Sequence, residues 1–114
     1  MPMRGLTILI TNPDPNRFRT ALTMAAAAAA LGAPTRVYLH EGAVTLLSAQ
    51  DMRVPAGLPM LGELRAIAID SGVALIACQT GLALAGLSAD AAGVEAGGMI
   101  DLLATLSDDR LVTL

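Results

Sequence analysis

The chain has 114 residues, 54% of them hydrophobic and 15% charged, with seven Arg, no Lys, ten acids and a formal net charge of -3. This is enough apolar material for one packed domain across 1–114, and it excludes a disordered chain. It also excludes a nucleic-acid partner, because scattered arginines and two aromatic residues, Phe18 and Tyr38, provide neither a cationic track nor stacking platforms. The longest apolar stretch, Ala21 to Leu31, is too short to span a bilayer, so no membrane role is expected. Leu6–Ile10 is too short for the core of a signal peptide, and the expected location is cytoplasmic.

In chain order, the run Leu6 to Thr11 lacks alternation and reads as a parallel strand covered on both faces. Asn12 to Asn16 then forms a turn, with Asp14 as N-cap and Pro15 at the first helical position, opening a helix that runs to about Leu31. Gly32 and Pro34 end it, and Thr35 to His40 is the second strand. Glu41 to Leu47 is expected as a short helix, followed by one long loop, Ser48 to Pro59. From Met60 to Ser71 the positions of Leu61, Leu64, Ile67 and Ala68 give a helix closed by Gly72. The alternative, a strand at Ala66 to Ile69, would leave the preceding leucines without a partner.

Val73 to Ala77 is the third strand, Gly81 to Leu87 a short helix, Val94 to Ala96 a brief strand and Met99 to Leu106 the last helix. The turn Ser107 to Arg110 leads into a terminal strand, Leu111 to Leu114. This alternation predicts an α/β fold of three layers, α/β/α, around a parallel sheet of about five strands. The thin cover of charge on so small a domain predicts that part of its surface is buried between subunits of a homo-oligomer.

In such a sheet, chemistry gathers beyond the carboxyl ends of the strands. The candidates there are Asn12 to Asp14, His40 with Glu41, Cys78 with Gln79 and Thr80, and Glu95 with Gly97 and Gly98. Cys78 is the most informative. It is the only cysteine, which rules out an intrachain disulfide and any multi-cysteine metal site, and it stands where a strand passes into a helix. Backbone N–H groups there favour the thiolate, the nucleophilic form. The competing reading is a small buried hydrophobe. His40, the sole histidine, is placed to lend a proton or a positive charge to that thiolate. Glu41 and Glu95 read as solvated or capping carboxylates. Gly97-Gly98 before a helix suits an anion, but the chain carries neither GxGxxG nor GxxxxGK[ST], so no nucleotide cofactor is expected. The six Met are spread without clustering and read as core filler, not as metal ligands.

The segments VALIACQTGLALAGLSADA and VEAGGMIDLLATLSDDRLVTL, with the first strand, its turn and the Ala-rich helix before them, resemble the DsrE/DsrF-like family, which includes TusD-type sulfur-relay subunits. The resemblance extends over almost the whole chain. It implies a small parallel α/β domain that assembles as trimers or hexamers, and a sulfurtransferase or sulfur carrier holding persulfide sulfur on Cys78, with sulfur donor and acceptor proteins as partners and no cofactor. The alternative is an oligomeric module that binds a small ligand or a protein under the Ser48 to Pro59 loop, with Cys78 only lining the pocket.

Overall fold

The computed structural model describes residues 3–48 and 57–114. Five strands, β1 (Leu6–Ile10), β2 (Thr35–Leu39), β3 (Ala74–Cys78), β4 (Glu95–Gly97) and β5 (Arg110–Thr113), form one parallel sheet in the order β4-β3-β2-β1-β5. The helices are α1 (Pro15–Ala30), α2 (Leu61–Asp70), α3 (Gln79–Ala85), α4 (Ala89–Ala92) and α5 (Met99–Ala104), with a 3-10 helix at Glu41–Ser48. The expected α/β class and the five-stranded parallel sheet flanked by helices are both present. Within the predicted long loop, residues 49–56 lie outside the described residues.

The strand order explains how the layers fill. From β1 to β4 the chain steps across the sheet in one direction, so right-handed crossovers put the 3-10 helix and α1 to α4 on one face. The return from β4 to β5 reverses direction and leaves α5 on the other. Register sorts the side chains accordingly. Ile8, Ile10, Val37, Leu39, Leu75 and Ala77 point to the many-helix face and are all buried. There α1 packs on α2 through its alanine stripe, with Ala21 and Ala25 fully buried beside Phe18 and Leu22. Each of these large side chains contributes roughly 1.5–3 kcal/mol through burial.

The α5 face holds Thr7, Leu9, Arg36, Tyr38 and Ile76. Arg36 anchors α5 to it: Nη1 donates to Thr105 Oγ1 (2.7 Å), Nη2 reaches Leu102 O (3.4 Å), and Nε donates to Thr7 Oγ1 (3.2 Å). A cation at the carbonyl end of a helix also opposes its dipole.

Asp14 caps α1 as expected, accepting from Asn16 N at 2.8 Å, and Gly32, at φ 93°, closes that helix. Several boundaries differ from the sequence reading. Helix α3 begins at Gln79, not Gly81, which makes Cys78 itself the N-cap residue. Helix α4 was not anticipated: it is one turn, opened by Ser88 accepting from Ala91 N. β4 sits one residue later, so Gly97 belongs to the strand, and the terminal strand begins at Arg110, because Arg110 N donates to Gly5 O and continues the ladder.

Arg65 is the one buried charged residue among those described, 9% exposed, and burial lowers its pKa. Its Nη1 donates to Leu47 O (3.2 Å) and its Nη2 to Ala92 O, tying α2 to the ends of the 3-10 helix and of α4. Arg65→Met keeps the aliphatic stem but withdraws both donors. Urea unfolding is expected to show a loss of about 2 kcal/mol, the order of cost for buried groups left without a partner. An unchanged midpoint would show that this tie carries no stability.

Candidate functional site

The carboxyl ends of β2, β3 and β4 meet around Cys78. Parallel register places Tyr38 beside Ile76, and Cys78 beside Gly97. Because side chains alternate along a strand, Tyr38, Ile76 and Cys78 all point to the α5 face, and His40 continues that row just past the end of β2. A half-open cavity of about 250 Å³ results, lined by Tyr38, His40, Glu41, Cys78, Gln79, Thr80, Gly97, Gly98 and Met99. A second cavity of about 160 Å³ continues from it beneath α5. The two share Tyr38, Gly97 and Gly98.

Cys78 is 8% exposed, and its sulfur is not sealed in hydrocarbon. Burial pushes the thiol up. Against this, the N–H groups of Gly81, Glu41 and Thr80 and the Tyr38 hydroxyl act as donors to the ionised sulfur. Together they outweigh burial and hold Cys78 below the usual thiol value.

Two unusual backbone features bring these donors together. Glu41 sits in the left-handed region, at φ 46°, and its N–H is one of the donors to the sulfur. The first turn of α3 lies hard against this bend. A Cβ on Gly81 would fall 2.5 Å from Glu41 O and 2.4 Å from Val44 Cγ2, so only glycine permits the approach. The contact between α3 and the 3-10 helix thus supplies donors from both sides of the thiol.

The other sequence candidates fall at different distances from this chemistry. Gln79 and Thr80 line the cavity as the first two residues of α3, and Thr80 contributes its N–H. His40 also lines it, but its Nε2 pairs with Glu41 Oε1 at 2.8 Å, its Nδ1 is buried without a hydrogen-bond partner, and it is not among the groups that lower the Cys78 pKa. Its ring stacks on Tyr38, with centroids 6.3 Å apart. Glu95 belongs to the second cavity, with Arg36 and Asp101. Asn12 lies away from both cavities and accepts from Asp14 N within its own turn. Among the described residues no cluster of three or more His, Cys, Asp or Glu is arranged to hold a metal ion, and no helix is long and apolar enough to cross a membrane.

Sequence reasoning missed Tyr38, Gly81 and the Glu41 backbone. Tyr38 is 1% exposed, and its pKa is pushed up to about 12, first by burial, then by its bond to Cys78 and by repulsion from Cys78 and Glu41. The available signal was the spacing from Tyr38 to His40, which puts both on the same face of β2.

Gly81→Ala is expected to move the Glu41 bend away from α3. Cys78 should then alkylate at least about threefold more slowly at neutral pH, since donors to a charged group are lost, whereas Gly98→Ala, where a Cβ meets nothing within 4 Å, leaves the rate unchanged. A rate in Gly81→Ala equal to that of the unaltered chain would remove the role assigned to this approach. The lowered thiol pKa also makes stability depend on pH. Folding favours the thiolate, so this contribution is fully present above the unfolded thiol value near ~8.5 and is lost as pH falls through the lower folded value. The stability difference between the unaltered chain and Cys78→Ala should therefore grow with pH across that window in denaturant titrations, and a constant difference would contradict it.

The comparisons with known proteins agree with the architecture. The family model described as DsrE/DsrF-like matches residues 4–114. The crystal structure of the ychN protein from E. coli superposes with a TM-score of 0.71 at 23% identity, over 98% of this chain and 100% of that one. At that identity the match speaks for the fold alone. No curated protein matches the sequence. With the family match running over nearly the whole chain, the chain belongs to the DsrE/DsrF-like family.

Proposed function

We propose that this protein is a sulfur carrier or sulfurtransferase that accepts and donates persulfide sulfur on Cys78. The observation that carries this reading is the convergence of three backbone N–H groups and one phenol on the chain's single thiol, at the mouth of an open cavity. That arrangement favours the nucleophilic form and leaves the sulfur a path to a visiting group.

The exchange balances without an added oxidant or metal. The Cys78 thiolate forms a bond to the terminal sulfur of a donor persulfide. The donor's own sulfur–sulfur bond breaks, and its electron pair leaves with the donor as a thiolate. In delivery an acceptor thiolate attacks the terminal sulfur on Cys78, and Cys78 departs as the thiolate that the surrounding donors stabilise. Donor and acceptor are proteins in this proposal, with His40, Gln79 and Thr80 lining the approach. His40 and Glu41, in contact at 2.8 Å, stand together at the rim.

The proposed working form is a homo-oligomer, trimer or hexamer. The α5 side of the sheet supports this, since one six-residue helix is its only described helical cover. Ile100 is 84% exposed and Leu103 52% on that helix, and Leu111 on β5 is 44% exposed. Scattered apolar residues are ordinary on a surface, but three large ones on one thin layer are suited to burial against another copy.

Incubation with a small-molecule persulfide donor, without reducing agent, is expected to add one sulfur atom to Cys78 by mass spectrometry. The adduct should disappear in Cys78→Ser and on treatment of the loaded protein with an acceptor thiol. A native chain that takes no sulfur would favour a binding role instead. Light scattering should give a mass of three or more chains in solution, falling to one chain in the double variant Ile100→Glu with Leu103→Glu. A monomeric native protein would sink the assembly proposal.

A further inference from the structure

We infer that Tyr38 takes part in the sulfur exchange itself: its phenolic O–H donates to the Cys78 sulfur in the thiolate state, stabilising both the attacking nucleophile and the group that departs on delivery. This rests on the proposal that Cys78 is the sulfur carrier.

The placement is specific. Tyr38 lies on β2, a central strand, 1% exposed, so its ring has no freedom to swing away. It borders both cavities and stands between the thiol and the space beneath α5. Of the donors to the ionised sulfur, the other three are main-chain groups of Gly81, Glu41 and Thr80, and Tyr38 supplies the side-chain donor. His40 does not share this role: it is not among the groups that act on the Cys78 sulfur, and its Nε2 is paired with Glu41.

The phenol is suited to donate and not to accept a proton. Held up to about 12, it keeps its O–H throughout the range in which a thiol titrates. Burial is the first reason, followed by the bond to Cys78 and by the charges of Cys78 and Glu41. Glu41 stands at the rim from the 3-10 helix, Glu95 on β4 and Asp101 on α5 border the adjoining cavity, and Arg36 on β2 is engaged with Thr7, Leu102 and Thr105 and paired with Asp109 at 3.8 Å. Of these carboxylates, Glu41 is the one that repels a phenolate at Tyr38. The bookkeeping of the exchange is unchanged by this bond. The proton stays on oxygen, the hydrogen bond strengthens as negative charge returns to the Cys78 sulfur, and it weakens when that sulfur is covalently joined to the transferred atom.

The composition makes the test unusually clean, because the chain has one Tyr, one Cys and no Trp. Tyr38→Phe keeps the ring and removes the donor. Alkylation of Cys78 by iodoacetamide at neutral pH should slow by about three- to tenfold, with the rate–pH profile displaced toward alkaline pH and rates converging once the thiol is fully ionised. A purely structural role for the ring would not displace the profile. Uniform incorporation of 3-fluorotyrosine labels Tyr38 alone, and its more acidic phenol should displace the profile the other way, which keeps the inference testable if Tyr38→Phe does not fold. In the native chain the ultraviolet phenol titration should move to lower pH on Cys78→Ala, because the bond and the thiolate charge that hold it up are gone. Superimposable alkylation profiles for native and fluorotyrosine protein would overturn the inference. Alkylation involves no sulfur transfer, so a displaced profile in a protein that accepts no sulfur would leave Tyr38's role standing and remove only the carrier proposal.

Discussion

The contact between Gly81 and the Glu41 main chain is the constraint on which the site depends. A thiol set among apolar strands is ordinarily raised in pKa and inert. Here the same burial is opposed by N–H groups that reach the sulfur from two separate segments, the first turn of α3 and the bend after β2. Neither segment alone supplies the set, and they meet only because residue 81 has no side chain and Glu41 tolerates a left-handed backbone. The cost of that conformation, on the order of 1–3 kcal/mol, falls on the core beneath it. The 3-10 helix that follows the bend buries Ala43, Val44, Leu46 and Leu47, which fixes its position over the sheet.

The topology divides the work of the molecule between its two faces. The many-helix face holds most of the core, with Ile8, Ile10, Val37 and Leu39 wholly buried. The α5 face is thinner and partly polar, held by the Arg36 bonds to Thr7, Leu102 and Thr105. The two cavities of the site occur on this second face, where one short helix leaves space above β2, β3 and β4. A site built there gains access at the expense of packing, and the dense opposite face makes that tolerable.

Much of this was legible in the sequence, and for physical reasons. The apolar runs at Leu6–Ile10 and Thr35–Leu39 are bounded by Pro and Gly signals that few other arrangements accommodate, so the β-α-β unit could be read directly. Cys78 could be placed at a strand end because an apolar run stops there. Helix α4 escaped notice because Ala89–Ala92 is a single turn with too few positions to show a period. The bend at Glu41 escaped because nothing in a Glu side chain announces a left-handed backbone; tertiary packing imposes it. Tyr38 was read only as one of two aromatics, since a buried tyrosine inside an apolar strand looks like core until its neighbours are known.

The case of Tyr38 shows where such readings can be extended. Strand alternation needs no coordinates: Tyr38 and His40 share a face, as do Ile76 and Cys78, once the strands are assigned. The missing step was the register between β2 and β3, which pairs Tyr38 with Ile76 and so brings the phenol within one step of the thiol. Register in a parallel sheet depends on the crossover connection, and here that connection includes residues 49–56, whose composition gives little period. The chemistry of the site therefore rests on an alignment that no local motif encodes, whereas the fold rests on motifs that are entirely local.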